Sequence, residues 1–202
     1  MLTVGSASLS AWELPELRRD LAPVVTFTKR YHDGHYCLST LPVEVGARVE
    51  SFFEPELSLP AYLVAAPGQS IIRVNNRLDG SPLHPVSLLH ECSHFLLGHR
   101  HLRCTGKVES RGERDVWLAS ALVSVSRQLA TLVIDGRADV SEIADRCRVP
   151  EPLVMVRLGM MYVLGEKRGH VGEALDTIRY WLRRLEDWIQ AARAGLLWQQ
   201  LA

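Results

Sequence analysis

The stretch Leu89-His90-Glu91-Cys92-Ser93-His94-Phe95-Leu96-Leu97-Gly98-His99 decides how the chain is read. It sets two histidines four residues apart in an apolar run. On an α-helix, residues four apart lie one above the other on the same face. His90 and His94 can therefore share one metal ion, at about 2.0–2.1 Å from each imidazole if the ion is zinc. Glu91 stands beside the first histidine, where its carboxylate can reach a water on the metal instead of the metal itself. From there it can take a proton and pass it on. The pattern predicts a helix over about residues 85–97, with Gly98 as its stop. Cys92 is two positions from each histidine, so it faces away from them and reads as a core thiol.

Upstream, residues 61–66 and 70–75 are β-rich and flank Pro67-Gly68-Gln69, a turn signal, so they read as a hairpin. Asp79-Gly80-Ser81-Pro82 is a second turn, with Ser81 or a neighbour expected to cap the following helix. An edge strand beside a metal helix can add a substrate strand through main-chain hydrogen bonds. Residues 70–75, with Ile71, Ile72, Arg73 and Val74, are the expected edge. Further back, residues 9–31 look helical but are interrupted by Pro15 and Pro23. Pro42 opens another expected helix with Val45, Val49 and Phe52 on one face.

Downstream, one helix is expected over residues 109–134, two shorter ones near 141–147 and 152–164, and a last one over 171–198. Leu175, Ile178, Leu182, Leu185 and Ile189 recur at helical spacing in the last, giving it one packing face. Trp181, Trp188 and Trp198 widen that stripe enough for a homodimer or partner surface. The whole reads as an α+β fold, mostly helical, with a small antiparallel sheet packed on the HExxH helix and a helical region behind. The expected division is a domain over 1–135 built on the HExxH helix and a helical region over 136–202.

Two histidines do not complete a catalytic zinc site, which wants a third protein ligand and a water. A continuation with glycine at 97 and histidine at 100 would supply one, but the chain has Leu97 and Arg100. The remaining candidates lie on the next helix: Glu109, Glu113 and Asp115.

At this point the sequence resembles the ImmA/IrrE metallopeptidases. Their signature is similar to HExxHxxxGH, matched by His90, Glu91, His94, Gly98 and His99. It follows a hairpin whose second strand resembles Ile71-Ile72-Arg73-Val74-Asn75. It precedes a helix reading approximately E-A-N-x-F-A-A-x-L-L-M-P, on which residues 113–124 fall in register. Val116 and Ser124 depart from that pattern, and Trp117 takes its aromatic position. The resemblance covers about residues 40–125 and extends weakly to about 160. It implies Glu113 as the third zinc ligand. It also implies a site-specific endopeptidase that cuts a partner helix-turn-helix repressor, in stress-response, mobile-element or anti-phage regulation.

The chain has 202 residues, 47% of them apolar, with 23 basic and 23 acidic side chains and no net charge. So apolar a chain is not disordered, and so balanced a chain is not an obvious polyanion binder. Residues 1–102 carry 8 basic and 10 acidic groups, net −2; residues 103–202 carry 15 and 13, net +2. Nucleic acid as an activating signal is left open but has no support from charge. Four scattered cysteines, Cys37, Cys92, Cys104 and Cys147, form no CxxC pair and point to a reducing cytoplasm. The N-terminal stretch has no signal-peptide pattern, and no membrane span is expected.

Other features are weighed against that core. Cys104 lies between the two ligand-bearing helices, and a thiolate there could occupy the metal's open position as an inhibitory cysteine switch. His99 and His101 read as capping or supporting groups rather than ligands. Tyr62, Arg73 and His84 are candidates for stabilising the oxyanion. Residues 139–158 resemble a weak helix-turn-helix, with Arg148 where a turn glycine is usual. Its second helix offers one charged side chain, Arg157, which favours a packing module over a DNA reader. Two functions are thus carried forward. The first is a zinc endopeptidase using His90, Glu91, His94 and Glu113. The second is a non-proteolytic, metal-containing regulator acting through residues 139–202.

Overall fold

Pro15 and Pro23 divide the N-terminal apolar run into α1 (Leu14–Asp20) and α2 (Ala22–Tyr31), each proline sitting in a first turn, where its missing N–H costs nothing. The computed structural model describes residues 14–32, 38–56, 60–66, 69–99 and 111–198. Cys104, His101 and Glu109 lie outside the described residues.

The expected helix after Pro42 is only one turn long, α3 (Leu41–Glu44). Gly46 ends it with φ +78°, a conformation that side chains with a Cβ disfavour. Residues Ala47–Phe52 then form strand β1. Val49 and Phe52 are therefore on a strand, not on a helix face with Val45.

The hairpin is present as β2 (Ala61–Ala66) and β3 (Gln69–Asn75), antiparallel, with Ala61 opposite Val74 and Val64 opposite Ile71. β1 adds to the other side of β3 in parallel, Ala47 opposite Ser70 and Phe52 opposite Asn75. The strand order is β1-β3-β2, so the sheet is mixed rather than antiparallel. It also follows that Ile71, Ile72, Arg73 and Val74 are not on an edge. β3 is hydrogen-bonded on both sides, and a substrate strand cannot add to it; the edges are β1 and β2. Ile72 and Val74 are buried accordingly.

A single 3-10 turn (Asn76–Leu78), capped by Asn75 Oδ1 accepting from the Arg77 N–H at 3.1 Å, leads out of β3. The chain then turns at Gly80 (φ +75°) into α4 (Leu83–Leu96). Pro82, not Ser81, occupies the N-cap, with no side-chain capping bond. From Leu88 to His94 every residue of α4 is buried, because the sheet covers one side and further helices the other.

The expected helix over 109–134 is broken. α5 (Arg111–Ser124) and α6 (Arg127–Ile134) meet at an angle of 86°. Ser126 restarts the helix by accepting from the Leu129 N–H at 3.2 Å. The carbonyl of Val125, at the break, accepts from Arg157 Nε at 3.0 Å. Arg157 is itself buried and paired with Glu166 at 2.7 Å. No single helix is long and apolar enough to cross a membrane; the bent α5–α6 pair passes that test only by length and composition, and α5 is buried within the fold.

α7 (Val140–Cys147) and α8 (Glu151–Val163) make the helix-turn-helix-like element. Arg148 adopts φ +55° at the turn, the left-handed conformation that a glycine would supply more cheaply. Most of α8 is packed into the fold. Leu153, Val154, Val156, Arg157, Met160, Met161 and Val163 are all buried, against α5, α6, α7 and α9 (Val171–Trp198). Gly159 lets α8 and α9 close up: a Cβ there would lie 2.5 Å from Ile178 Cγ1. The expected stripe of α9 faces this contact, with Ile178, Leu182, Leu185 and Ile189 buried and Trp181 and Trp188 half-buried against it. Buried apolar side chains from Leu17 to Ile189 form one cluster. The fold is α+β and mostly helical, with one small sheet.

Candidate metal centre

His90, His94 and Glu113 are buried together at the contact of α4 and α5. His90 Nε2 and His94 Nε2 are 3.2 Å apart. Glu113 Oε2 is 3.2 Å from His90 Nε2, and Oε1 is 3.6 Å from His94 Nε2. A tetrahedral ion with bonds of about 2.0–2.1 Å needs donor atoms about 3.3 Å apart. Three donors at that spacing, all on buried side chains, can hold one metal ion.

The local causes are legible in the sequence. The four-residue spacing stacks His90 over His94. Glu113 sits in the first turn of α5, where a carboxylate is favoured by the helix dipole. One turn on, Trp117 lies on the same face and packs its ring against the His90 imidazole, centroids 4.2 Å apart. Ser93 and Ser120 join the two helices through their hydroxyls at 2.9 Å.

His99 is brought back onto the site by the helix stop. Gly98 takes φ +73°, and the His99 N–H donates to the His94 carbonyl at 2.9 Å. The His99 ring then lies with Nδ1 3.0 Å from His94 Nδ1. If His94 offers Nε2 to a metal, its Nδ1 carries the proton and donates, so His99 accepts and holds its own proton on Nε2. Burial first, then the neighbouring His90 and His99 rings, push the His94 imidazole down to about 2. It is thus the neutral, ligand-competent form at neutral pH.

Asp115, the other described third-ligand candidate, is not in the cluster. It lies 3.1 Å from Arg114 and 3.9 Å from Arg111, on the side of α5 that meets α1; burial raises its carboxyl despite the Arg114 charge. Cys92 is fully buried, and burial pushes its thiol up, with the Glu91 charge adding to the shift. Tyr62, Arg73 and His84 do not gather at the metal centre. Arg73 bonds Tyr62 at 3.4 Å and Glu50 at 3.3 Å on the exposed side of the sheet, and His84 lies 3.7 Å from Asp79.

Glu91 is 2% exposed and shares a small cavity with His90. The cavity measures about 30 Å³, enough for a water molecule. Pro60 and Ala61 at the start of β2, Trp117 from α5, and Ile189 and Arg193 from α9 also line it. Arg193 escaped the reading of the sequence. The available signal was its position, four residues after Ile189 and so on the packing face of α9.

No family model matches the chain, and no curated protein or solved structure matches it.

Proposed function

We propose that the protein is a zinc-dependent endopeptidase of the ImmA/IrrE kind, acting in the cytoplasm on a partner helix-turn-helix repressor. The observation that supports this best is the buried set of His90, His94 and Glu113 with the Glu91 carboxylate in the adjoining cavity. A structural metal site has no use for a buried glutamate beside it. Burying that charge is costly unless it serves chemistry.

In this reading His90, His94 and Glu113 would hold Zn²⁺, and His99 orients His94. Zinc, when bound, polarises a carbonyl oxygen and acidifies water. Glu91 accepts the proton of the attacking water on its carboxylate and delivers it to the amine of the leaving peptide. β2 is the edge strand whose first residues reach the cavity, so an extended substrate segment would add there through main-chain hydrogen bonds. The inhibitory role considered for Cys104 would act on the same metal position.

The test is incubation of the protein with the helix-turn-helix repressor encoded beside its gene. Wild type should cut the repressor at one exposed segment, and Glu91→Gln should not. An intact repressor with zinc-loaded wild type would instead favour the non-proteolytic regulator. Most of α8 is buried, so that regulator would act chiefly through other surfaces of residues 139–202.

A further inference from the structure

Two residues that line the Glu91 cavity carry buried N–H groups with no acceptor among the described residues. Trp117 Nε1 and Arg193 Nε are both fully buried atoms, and neither has a hydrogen-bond partner among the described residues. They come from different helices, α5 and α9, and both residues line the cavity that His90 and Glu91 also line. Buried donors left unpaired are costly, so two on residues lining the same cavity point to an oxygen acceptor there.

Arg193 carries a further signal. Burial alone lowers its guanidinium's affinity for protons, with no carboxylate among the described residues offsetting it. By contrast, the more deeply buried Arg157 has Glu166 at 2.7 Å. A half-buried cation without a counter-ion among the described residues, beside a candidate metal site, suits an anionic ligand. It also offsets the repulsion that the Glu91 carboxylate would exert on such a ligand.

We infer that Trp117 Nε1–H and Arg193 form a donor pair for a negatively charged substrate oxygen beside the metal. This rests on the hydrolytic reading above for its source, but the donor pair itself is a claim about anion binding. Two oxygens have that chemistry. One is the carbonyl oxygen of the scissile peptide, which gains negative charge as water attacks. The other is a free carboxylate at a peptide's C-terminus. α9 is then part of the active site and not only its support.

The experiment uses the full-length protein loaded with Co²⁺, whose visible spectrum reports ligand exchange. Acetate is titrated as the anionic probe and imidazole as the neutral one, with metal content measured for every variant. Arg193→Gln and Trp117→Phe should each weaken acetate about tenfold and leave imidazole within about twofold. Arg193→Lys should recover part of the loss. Acetate binding unchanged in both Arg193→Gln and Trp117→Phe overturns the inference, whether or not the protein is a peptidase. The second arm measures hydrolysis of internally quenched peptides with free and amidated C-termini. A fall in kcat of about 10²-fold for Arg193→Gln on both peptide types, with little change in KM, identifies the carbonyl oxygen. A fall confined to free acids identifies the terminal carboxylate. If wild type cuts neither, the peptidase reading fails while the acetate titration still decides the donor pair.

Discussion

Ser93 Oγ and Ser120 Oγ meet at 2.9 Å across the contact of α4 and α5, and both hydroxyls are wholly buried. Ser93 donates to the Leu89 carbonyl at 2.8 Å, and the single Ser120 hydroxyl proton is shared between Ser93 Oγ and the Val116 carbonyl, both at 2.9 Å. This link sits one turn or less from His90, His94 and Trp117, and it ties the helix that carries His90 and His94 to the helix that carries Glu113. Replacing one serine leaves the other its backbone bond, Ser93 to the Leu89 carbonyl and Ser120 to the Val116 carbonyl. Ser120→Ala should therefore cost only about 0.5–1.5 kcal/mol in denaturant unfolding, and Ser93→Ala a similar amount. The double variant should be less destabilised than the sum, because the contact between the two is lost only once. Additive losses would mean that the two hydroxyls do not act as a pair.

His99 should tune metal affinity without binding metal. With a metal on His94 Nε2, the His99 ring accepts from His94 Nδ1 and fixes the orientation in which Nε2 faces Glu113. His99→Leu is expected to weaken metal about 10–100-fold in competition with a chelator, the usual loss for such a supporting partner. Stability of the metal-free protein should change far less. A loss as complete as that of His94→Ala would make His99 a ligand.

The metal-free protein should lose stability in acid. The His94 imidazole titrates near 2 when folded, against an ordinary 6.5. Below about 6.5 the unfolded chain binds a proton that the folded chain refuses. The contribution is therefore complete above that pH and falls away as pH drops toward 2, by at most about 1.4 kcal/mol per pH unit. Urea midpoints of wild type and His94→Asn between pH 4 and 7 check this. The variant should show the shallower slope, and equal slopes would contradict the cause assigned.

The closeness of α8 and α9 can be tested at Gly159. A Cβ there would stand 2.5 Å from Ile178 Cγ1 and 3.2 Å from the Ala174 carbonyl. Gly159→Ala should destabilise by about 1–3 kcal/mol through overpacking, despite alanine's better helix propensity. The double variant with Ile178→Val should recover part of that, measured by thermal unfolding.

The metal helix was legible because its chemistry and its local structure share one period. The spacing that stacks His90 on His94 is also the spacing of a helix, and Gly98 marks its end in the sequence. Glu113 was less legible, since residue type and spacing alone left Glu109, Glu113 and Asp115 open and only the resemblance pointed to Glu113. Asp115, two residues on, falls on another face of α5, beside Arg111 and Arg114 of the same helix. The strand β1 was misread as helix because Val45, Val49 and Phe52 fit both a helical face and a half-exposed strand. The parallel pairing with β3, a non-local contact, decided it. The same pairing removed residues 70–75 from the sheet's edge. The α5–α6 break was hidden by continuous apolar character, and it depends on Arg157 reaching the Val125 carbonyl from 32 residues away.

The central claim is that His90, His94 and Glu113 hold a metal that works with Glu91. It is tested most directly by measuring metal content and peptide-bond cleavage on the same preparations of wild type, Glu91→Gln and Glu113→Ala. The account predicts about one zinc per chain in wild type and in Glu91→Gln, with cleavage only in wild type, and loss of both metal and cleavage in Glu113→Ala. Cleavage that survives Glu91→Gln, or zinc that stays at full occupancy in Glu113→Ala, would contradict it.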